Sequence, residues 1–179
     1  QSIDSTHTIA NVNNSKERER TKKISEGGKG QKPRDGDAKY GVKKTKKTKT
    51  TKGEIVEITE GYVGYKSHIS VSAMSNLITS YLVTTMAKYD GHFFEPLMKD
   101  DLRKGIAKPW KTTYTADRGY DDGENHVWLQ KEKLKDAICL KNVKEWTKDG
   151  SPIARWTSCT TQEEFNAGRR KRFTVERVN

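Results

Sequence analysis

Three acidic residues carry the side chains best suited to do chemistry in this 179-residue chain. Asp4 stands in Ile3-Asp4-Ser5-Thr6-His7-Thr8, Asp117 in Ala116-Asp117-Arg118-Gly119-Tyr120-Asp121, and Glu176 in Arg172-Phe173-Thr174-Val175-Glu176-Arg177. Asp117 follows the extended run Thr112-Thr113-Tyr114-Thr115-Ala116 and precedes a Gly-containing turn. That places it at the C-terminal tip of a strand, where sheet-based folds put their ligand chemistry. Three carboxylates gathered at such a point repel one another unless a divalent cation neutralises them. A donor set made only of oxygen suits Mg²⁺ or Mn²⁺. The combination points to phosphodiester chemistry.

The elements that must position these residues follow from pattern and punctuation. Ile3 belongs to a strand that delivers Asp4. Runs at 54–59, 65–73 and 77–84 are rich in β-branched residues and alternate apolar with polar, which predicts three strands, with Ser75-Asn76 as turn chemistry before the last. Residues 90–103 have helical spacing, with Phe93 or Phe94, Leu97 and Leu102 as the inner stripe. Asp121 and Glu124 are spaced as an N-cap and its reciprocal partner, opening a helix to about 133. Residues 136–140 read as a strand, 142–162 as irregular, and 163–179 as a helix interrupted by Gly168. Strand, long insertion, strands, helix, strand, helix, strand, helix is the order of a mixed α/β sheet with helices packed on it.

Charge is concentrated in one segment. Between Lys16 and Lys52 there are 15 Lys or Arg against 5 Asp or Glu, whereas the rest of the chain carries 20 against 19. The pI near 9.6 therefore describes one arm and not the core. Residues 13–53 are polar and low in complexity, which predicts a flexible basic insertion. Its lysines, Lys43, Lys44, Lys46 and Lys47 among them, could serve as a solvated loop or contact phosphates through counterion release. Cys139 and Cys159 have neither Cys-x-x-Cys spacing nor clustered His partners, so a zinc site is not expected, and Cys139 in its apolar run reads as a buried thiol. His7 and His68 lack ligand spacing and read as structural, and Trp128 reads as core packing. No apolar stretch approaches the ~18 residues of a membrane span. The chain opens on Gln1 and not Met, and is expected to be a piece of something longer, weakly active at best by itself.

Six segments in order carry a resemblance. They are Asp4-Ser5-Thr6 with Ala10-Asn11, Asp37-Ala38-Lys39-Tyr40-Gly41, Gly64-Tyr65-Lys66-Ser67-His68, the 90–98 helix, Ala116-Asp117-Arg118-Gly119-Tyr120-Asp121, and Arg172-Phe173-Thr174-Val175-Glu176. Together they resemble the catalytic domain of bacterial insertion-sequence transposases of the DDE class, across nearly the whole chain. The resemblance implies one RNase H-like domain over 1–179, with the basic insertion inside it and the strands of Asp4 and Asp117 adjacent at the sheet centre. It implies that Asp4, Asp117 and Glu176 bind two Mg²⁺ or Mn²⁺ ions, one activating a water or a DNA 3′-hydroxyl and the other stabilising the leaving oxygen. The partners implied are DNA, as element ends and target, and a second copy of the full-length protein. No membrane is implied, and the location is the bacterial cytoplasm, at the nucleoid. Arg172 and Glu176 fit the Arg-x-x-x-Glu part of the family's last motif and fall on one helical face. Arg172, with Arg169 near it, is expected to contact DNA phosphate. Arg169 stands where the family often has Tyr, and the Lys often found seven positions after the Glu would fall beyond residue 179. Two alternatives remain open at this level: an RNase H-like nuclease that cleaves without joining, and an inactive, truncated protein that only binds DNA.

Overall fold

Alternating Thr, Tyr and Ala residues between two turns form the short strand on which the fold is centred. In the computed structural model, residues 1–10, 14–29, 35–49, 55–141 and 160–172 are described. Six strands form one mixed sheet: β1 (Ser2–Ile9), β2 (Lys39–Lys49), β3 (Ile55–Val71), β4 (Ile78–Thr85), β5 (Thr113–Ala116) and β6 (Lys135–Asp136). Four α-helices accompany it: α1 (Asn14–Ser25), α2 (Phe94–Arg103), α3 (Gly123–Lys131) and α4 (Gln162–Lys171). This is the α/β, RNase H-like arrangement the sequence implies. The chain divides into two compact units, the first of Gln1–Thr6, His68–Leu82 and Tyr89–Asn179, the second of His7–Ser67 and Val83–Lys88.

In the first unit β5 lies between β1 and β6, and both neighbours run parallel to it. The ladder continues past β6, with Ala137 N–H bonded to the Tyr114 carbonyl at 2.8 Å and Cys139 N–H to that of Ala116 at 3.0 Å. Buried Ile3, Tyr114 and Ala116 from the strands meet Phe94, Leu97 and Met98 from α2 and Leu129 from α3 in one core. The inner stripe of α2 therefore uses Met98, whereas Leu102 is only partly buried against it. Full burial of an aromatic such as Phe94 stabilises by about 3–5 kcal/mol against its Ala variant. The turn before β4 is as expected: Asn76 adopts φ 57°, and Asn76 N–H bonds the Ser72 carbonyl at 2.8 Å. Asn is among the few residues that take this left-handed conformation readily.

Two local expectations are corrected. Asp122, not Asp121, caps α3, its Oδ1 accepting Glu124 N–H at 3.1 Å. Gly168 does not interrupt α4. The helix runs through it, and a Cβ there would stand 2.5 Å from Ala137 Cβ and 3.0 Å from Thr113 Cγ2. The glycine lets α4 touch the sheet. Gly168→Ala is accordingly expected to destabilise the protein. Helix propensity would gain about 1 kcal/mol, but overpacking costs about 1–3 kcal/mol, and Ala137 Cβ, fixed to its backbone, cannot rotate away. A lowered denaturant midpoint would bear this out, and an unchanged or raised one would show that the layers relax.

In the second unit the segment expected to be a flexible insertion contains α1 and β2. Helix-forming Lys, Arg and Glu build α1, and Glu17 and Arg20 pair at 2.7 Å. β2 runs antiparallel to β3 from Lys39 opposite Gly64 to Lys49 opposite Ile55, with an irregularity between Val42 and Lys44. Low apolar content argues against a buried core, but a backbone ladder needs only N–H and C=O groups. The runs expected at 54–59 and 65–73 are likewise one 17-residue strand, β3. β1 also continues well past Asp4, so this carboxylate sits inside a strand and not at its end. Of the segment expected to be irregular at 142–162, residues 142–159 lie outside the described residues, and its last residue, Gln162, already belongs to α4.

Candidate active site

The parallel register of β1 and β5 pairs Ser2 with Thr115 and Ile3 with Ala116. Asp4 and Asp117 are the next residues along, Asp4 within β1 and Asp117 just past the end of β5. The 113 positions that separate them in sequence are closed by neighbouring strands. Both carboxylates are half-buried. Asp117 is extended, with φ −74° and ψ 179°, and its Oδ1 accepts Gly119 N–H at 2.7 Å, which caps the short 3₁₀ turn Arg118–Tyr120. A Cβ at Gly119 would lie 2.9 Å from Asp117 Oδ1, so the absence of a side chain there allows the carboxylate to fold back onto its own turn.

Tyr120 reports on the charge around this turn. Its phenol is pushed far above the usual tyrosine range, first by burial and then by the negative charges of Asp90 and Asp4, with Asp117 adding to them. Carboxylates from β1, from the 3₁₀ turn before α2 and from the residue after β5 thus raise one phenol. Asp90 was not singled out in the sequence as a site residue, although it opens one of the motif segments. The turn is further held by buried Asn125, whose Nδ2 donates to the carbonyls of Gly91 at 3.1 Å and Tyr120 at 3.0 Å. Tyr89 adds a hydrogen bond from its hydroxyl to the Gly119 carbonyl at 2.7 Å.

A second charged cluster follows the turn. His126, on the first turn of α3, is buried between two carboxylates, with Nε2 2.8 Å from Asp121 Oδ1 and Nδ1 hydrogen-bonded to Asp136 Oδ2. Neither partner was expected from sequence, since no spacing rule joins a turn, a helix and a strand in this way.

Of the remaining expected site residues, Glu176 lies outside the described residues. Arg172 closes α4, and its carbonyl accepts the Ser2 hydroxyl at 3.1 Å, two residues before Asp4. Exposed Arg169 lies on the same helix with its guanidinium carbon 5.8 Å from the Phe165 ring centre. Cys139, Asn166, Arg169, Arg170 and Arg172 line a cleft of about 470 Å³. Cys139 is a free, half-buried thiol. In the other unit, the backbone register of β2 sets Lys44 opposite Glu60, Lys46 opposite Ile58 and Lys47 opposite Glu57, with Lys43 in the irregular step. His68 is buried and stacked on Phe93, ring centres 4.5 Å apart, which fits a structural role.

Asp4 and Asp117 contribute only oxygen donors, which fits a hard divalent cation. Among the described residues no group of three or more His, Cys, Asp or Glu side chains is arranged to hold a metal ion.

Residues 27–179 match the family described as the transposase DDE domain. The match spans most of the chain, and the protein belongs to that family. Asp117 and Glu176 fall within the matched residues, while Asp4 precedes them. No curated protein and no solved structure matches the chain. Membership defines a DDE transposase, an enzyme of DNA transposition and recombination that depends on divalent metal and acts on DNA. Among the described residues no helix is long and apolar enough to cross a membrane.

Proposed function

We propose that Asp4, Asp117 and Glu176 are the catalytic carboxylates of this transposase, that they hold two Mg²⁺ or Mn²⁺ ions, and that the element mobilised is a bacterial insertion sequence. The observation that supports this most is the parallel register of β1 and β5, whose paired Ile3 and Ala116 stand immediately before Asp4 and Asp117. Ions bound there would activate the attacking oxygen and stabilise the leaving one at a single phosphodiester. In donor cleavage the attacking group is water and the element's 3′-oxygen leaves. In strand transfer that 3′-hydroxyl attacks the target phosphate and displaces a target 3′-oxygen. Each step makes one P–O bond and breaks one. The turn fixed by Asp117, Gly119 and Asn125 keeps the second carboxylate in place through both.

Arg169, Arg172 and the Lys43, Lys44, Lys46 and Lys47 group are the DNA-phosphate ligands in this reading. The protein acts as a homodimer on the element ends, at the bacterial nucleoid. Offered plasmid, Mn²⁺ and a labelled oligonucleotide with a free 3′ end, the protein with its native flanking sequence should give joined products. Nicked plasmid without joining would reduce the reading to a nuclease. Replacing the four lysines together by Gln should lower the slope of log affinity against log salt by about 0.9 for each phosphate that is no longer neutralised. An unchanged slope, read by fluorescence anisotropy, would remove these lysines from the DNA interface.

A further inference from the structure

We infer that His126 is a positioning residue that ties the turn carrying Asp117 to the C-terminal end of β6 and so holds that carboxylate at the tip of β5. The inference rests on the reading of Asp117 as catalytic. Asp121 ends the turn, and its two oxygens are used in two directions: Oδ1 meets His126 Nε2 at 2.8 Å, and Oδ2 accepts Lys141 N–H at 2.6 Å. Lys141 Nζ adds a bond to the Asp121 carbonyl at 2.8 Å. On the opposite side Asp136 takes His126 Nδ1 on Oδ2 and Ile138 N–H on Oδ1 at 2.9 Å, while its own N–H donates to Thr160 Oγ1 at 2.6 Å. One imidazole thus joins the turn after β5, the first turn of α3 and the strand β6.

The geometry demands a particular protonation state. Both ring nitrogens face carboxylate oxygens, and a neutral imidazole has only one N–H to donate. With the ring charged both bonds form, and with it neutral one nitrogen lone pair faces an oxygen. Asp121 and Asp136 are charged groups that bond the ring directly. Lys141 reaches Asp121 and not the ring, and on the α2 side Lys99 lies over Trp128, 4.2 Å from its centre. Burial is the largest single influence and opposes the charge, yet the hydrogen bonds and charges of Asp136 and then Asp121 outweigh it, and the net direction is above 6.5. The clamp is therefore whole below about pH 6.5, where the ring is charged in folded and unfolded chains alike, and it is lost as pH rises through the higher value of the folded ring.

The test begins with the wild-type protein. Ring ¹⁵N shifts followed through a titration should show both His126 nitrogens still protonated above the midpoint of a free imidazole, and titration at or below that midpoint would overturn the inference without any variant. In His126→Gln the side-chain amide can donate to one carboxylate only. Amide exchange at Lys141 and Gly119 should then quicken by about tenfold or more, cleavage should slow by about tenfold, and the alkaline fall of the wild-type pH profile should disappear. Exchange unchanged at both amides, or an alkaline limb that persists in the variant, would overturn it. Should Asp117→Asn prove active, the catalytic reading has failed, while the exchange and ring measurements still decide whether the clamp exists.

Discussion

Asp117→Asn is expected to abolish cleavage and strand transfer while leaving the fold and DNA affinity in place. The reason for choosing Asn is structural. Asp117 Oδ1 caps its own turn by accepting Gly119 N–H at 2.7 Å, and an N-cap lost to Ala costs about 0.5–2 kcal/mol. Asn keeps an oxygen in that position and removes only the charge, so a loss of activity cannot be blamed on a melted turn. Metal-assisted stabilisation of the transition-state charge supplies several kcal/mol. At about 1.4 kcal/mol per decade, a loss of about 4 kcal/mol lowers the rate by roughly 10³-fold. Asp4→Asn should match it, because the paired residues Ile3 and Ala116 stand immediately before the two carboxylates. Combining the two changes should cost little more than either, since groups that act as one unit are strongly non-additive. Rates within tenfold of wild type in either single variant, with a labelled DNA substrate and saturating Mn²⁺, would refute the assignment. If DNA affinity fell in parallel with the rate, the carboxylates would be part of the binding surface and not the chemistry.

The second large effect concerns stability. Asp101 on α2 is fully buried and gathers three hydroxyls: Ser80 Oγ donates to Oδ1 at 2.8 Å, and Ser70 Oγ and Tyr114 OH donate to Oδ2 at 2.6 and 2.9 Å. These come from β4, β3 and β5, so one carboxylate fastens α2 to three strands of the first unit. Tyr114 sits next to the β5 tip, and its phenol is pushed up beyond any physiological range, by burial first and then by Asp101, which keeps it a donor. Asp101→Ala would leave the Ser70 and Tyr114 hydroxyls buried without that acceptor, each at about 1–3 kcal/mol and not fully additive, whereas Ser80 Oγ keeps Asp100 Oδ2 at 2.7 Å. The expected loss is about 3–5 kcal/mol. For a chain of this size that lowers Tm by roughly 10 °C or more. Tyr114→Phe, which removes one donor and leaves the acceptor, should cost only about 1 kcal/mol. Equal losses in the two variants, measured by calorimetry, would show that the network is not centred on Asp101.

The local fold was legible in the sequence where it depends on short-range pattern. Thr113 to Ala116 followed by Asp117 and Gly119 reads as strand and then turn because β-branched spacing and a glycine are local signals, and the structure has β5 and a 3₁₀ turn there. The turn at Asn76 and the stripe of α2 were legible for the same reason. What stayed hidden depends on partners far along the chain. Nothing near residue 168 says that Ala137 and Thr113 press against it, and so a packing glycine reads as a helix break. The Lys and Thr alternation of β2 lacks the apolar residues that mark a strand, yet its ladder to β3 is made by backbone alone. The His126 clamp joins Asp121 and Asp136 across separate elements, and Asp90 joins Asp4 and Asp117 around Tyr120 only once β1 and β5 are neighbours.

The central claim is tested most directly by diffraction from crystals of the protein soaked in Mn²⁺, with data collected at the manganese absorption edge. Anomalous density between the carboxylates of Asp4 and Asp117, with Glu176 completing the ligand set, is the predicted result. Manganese bound elsewhere, or Asp4 and Asp117 turned to opposite faces of the sheet with no ion between them, would contradict it.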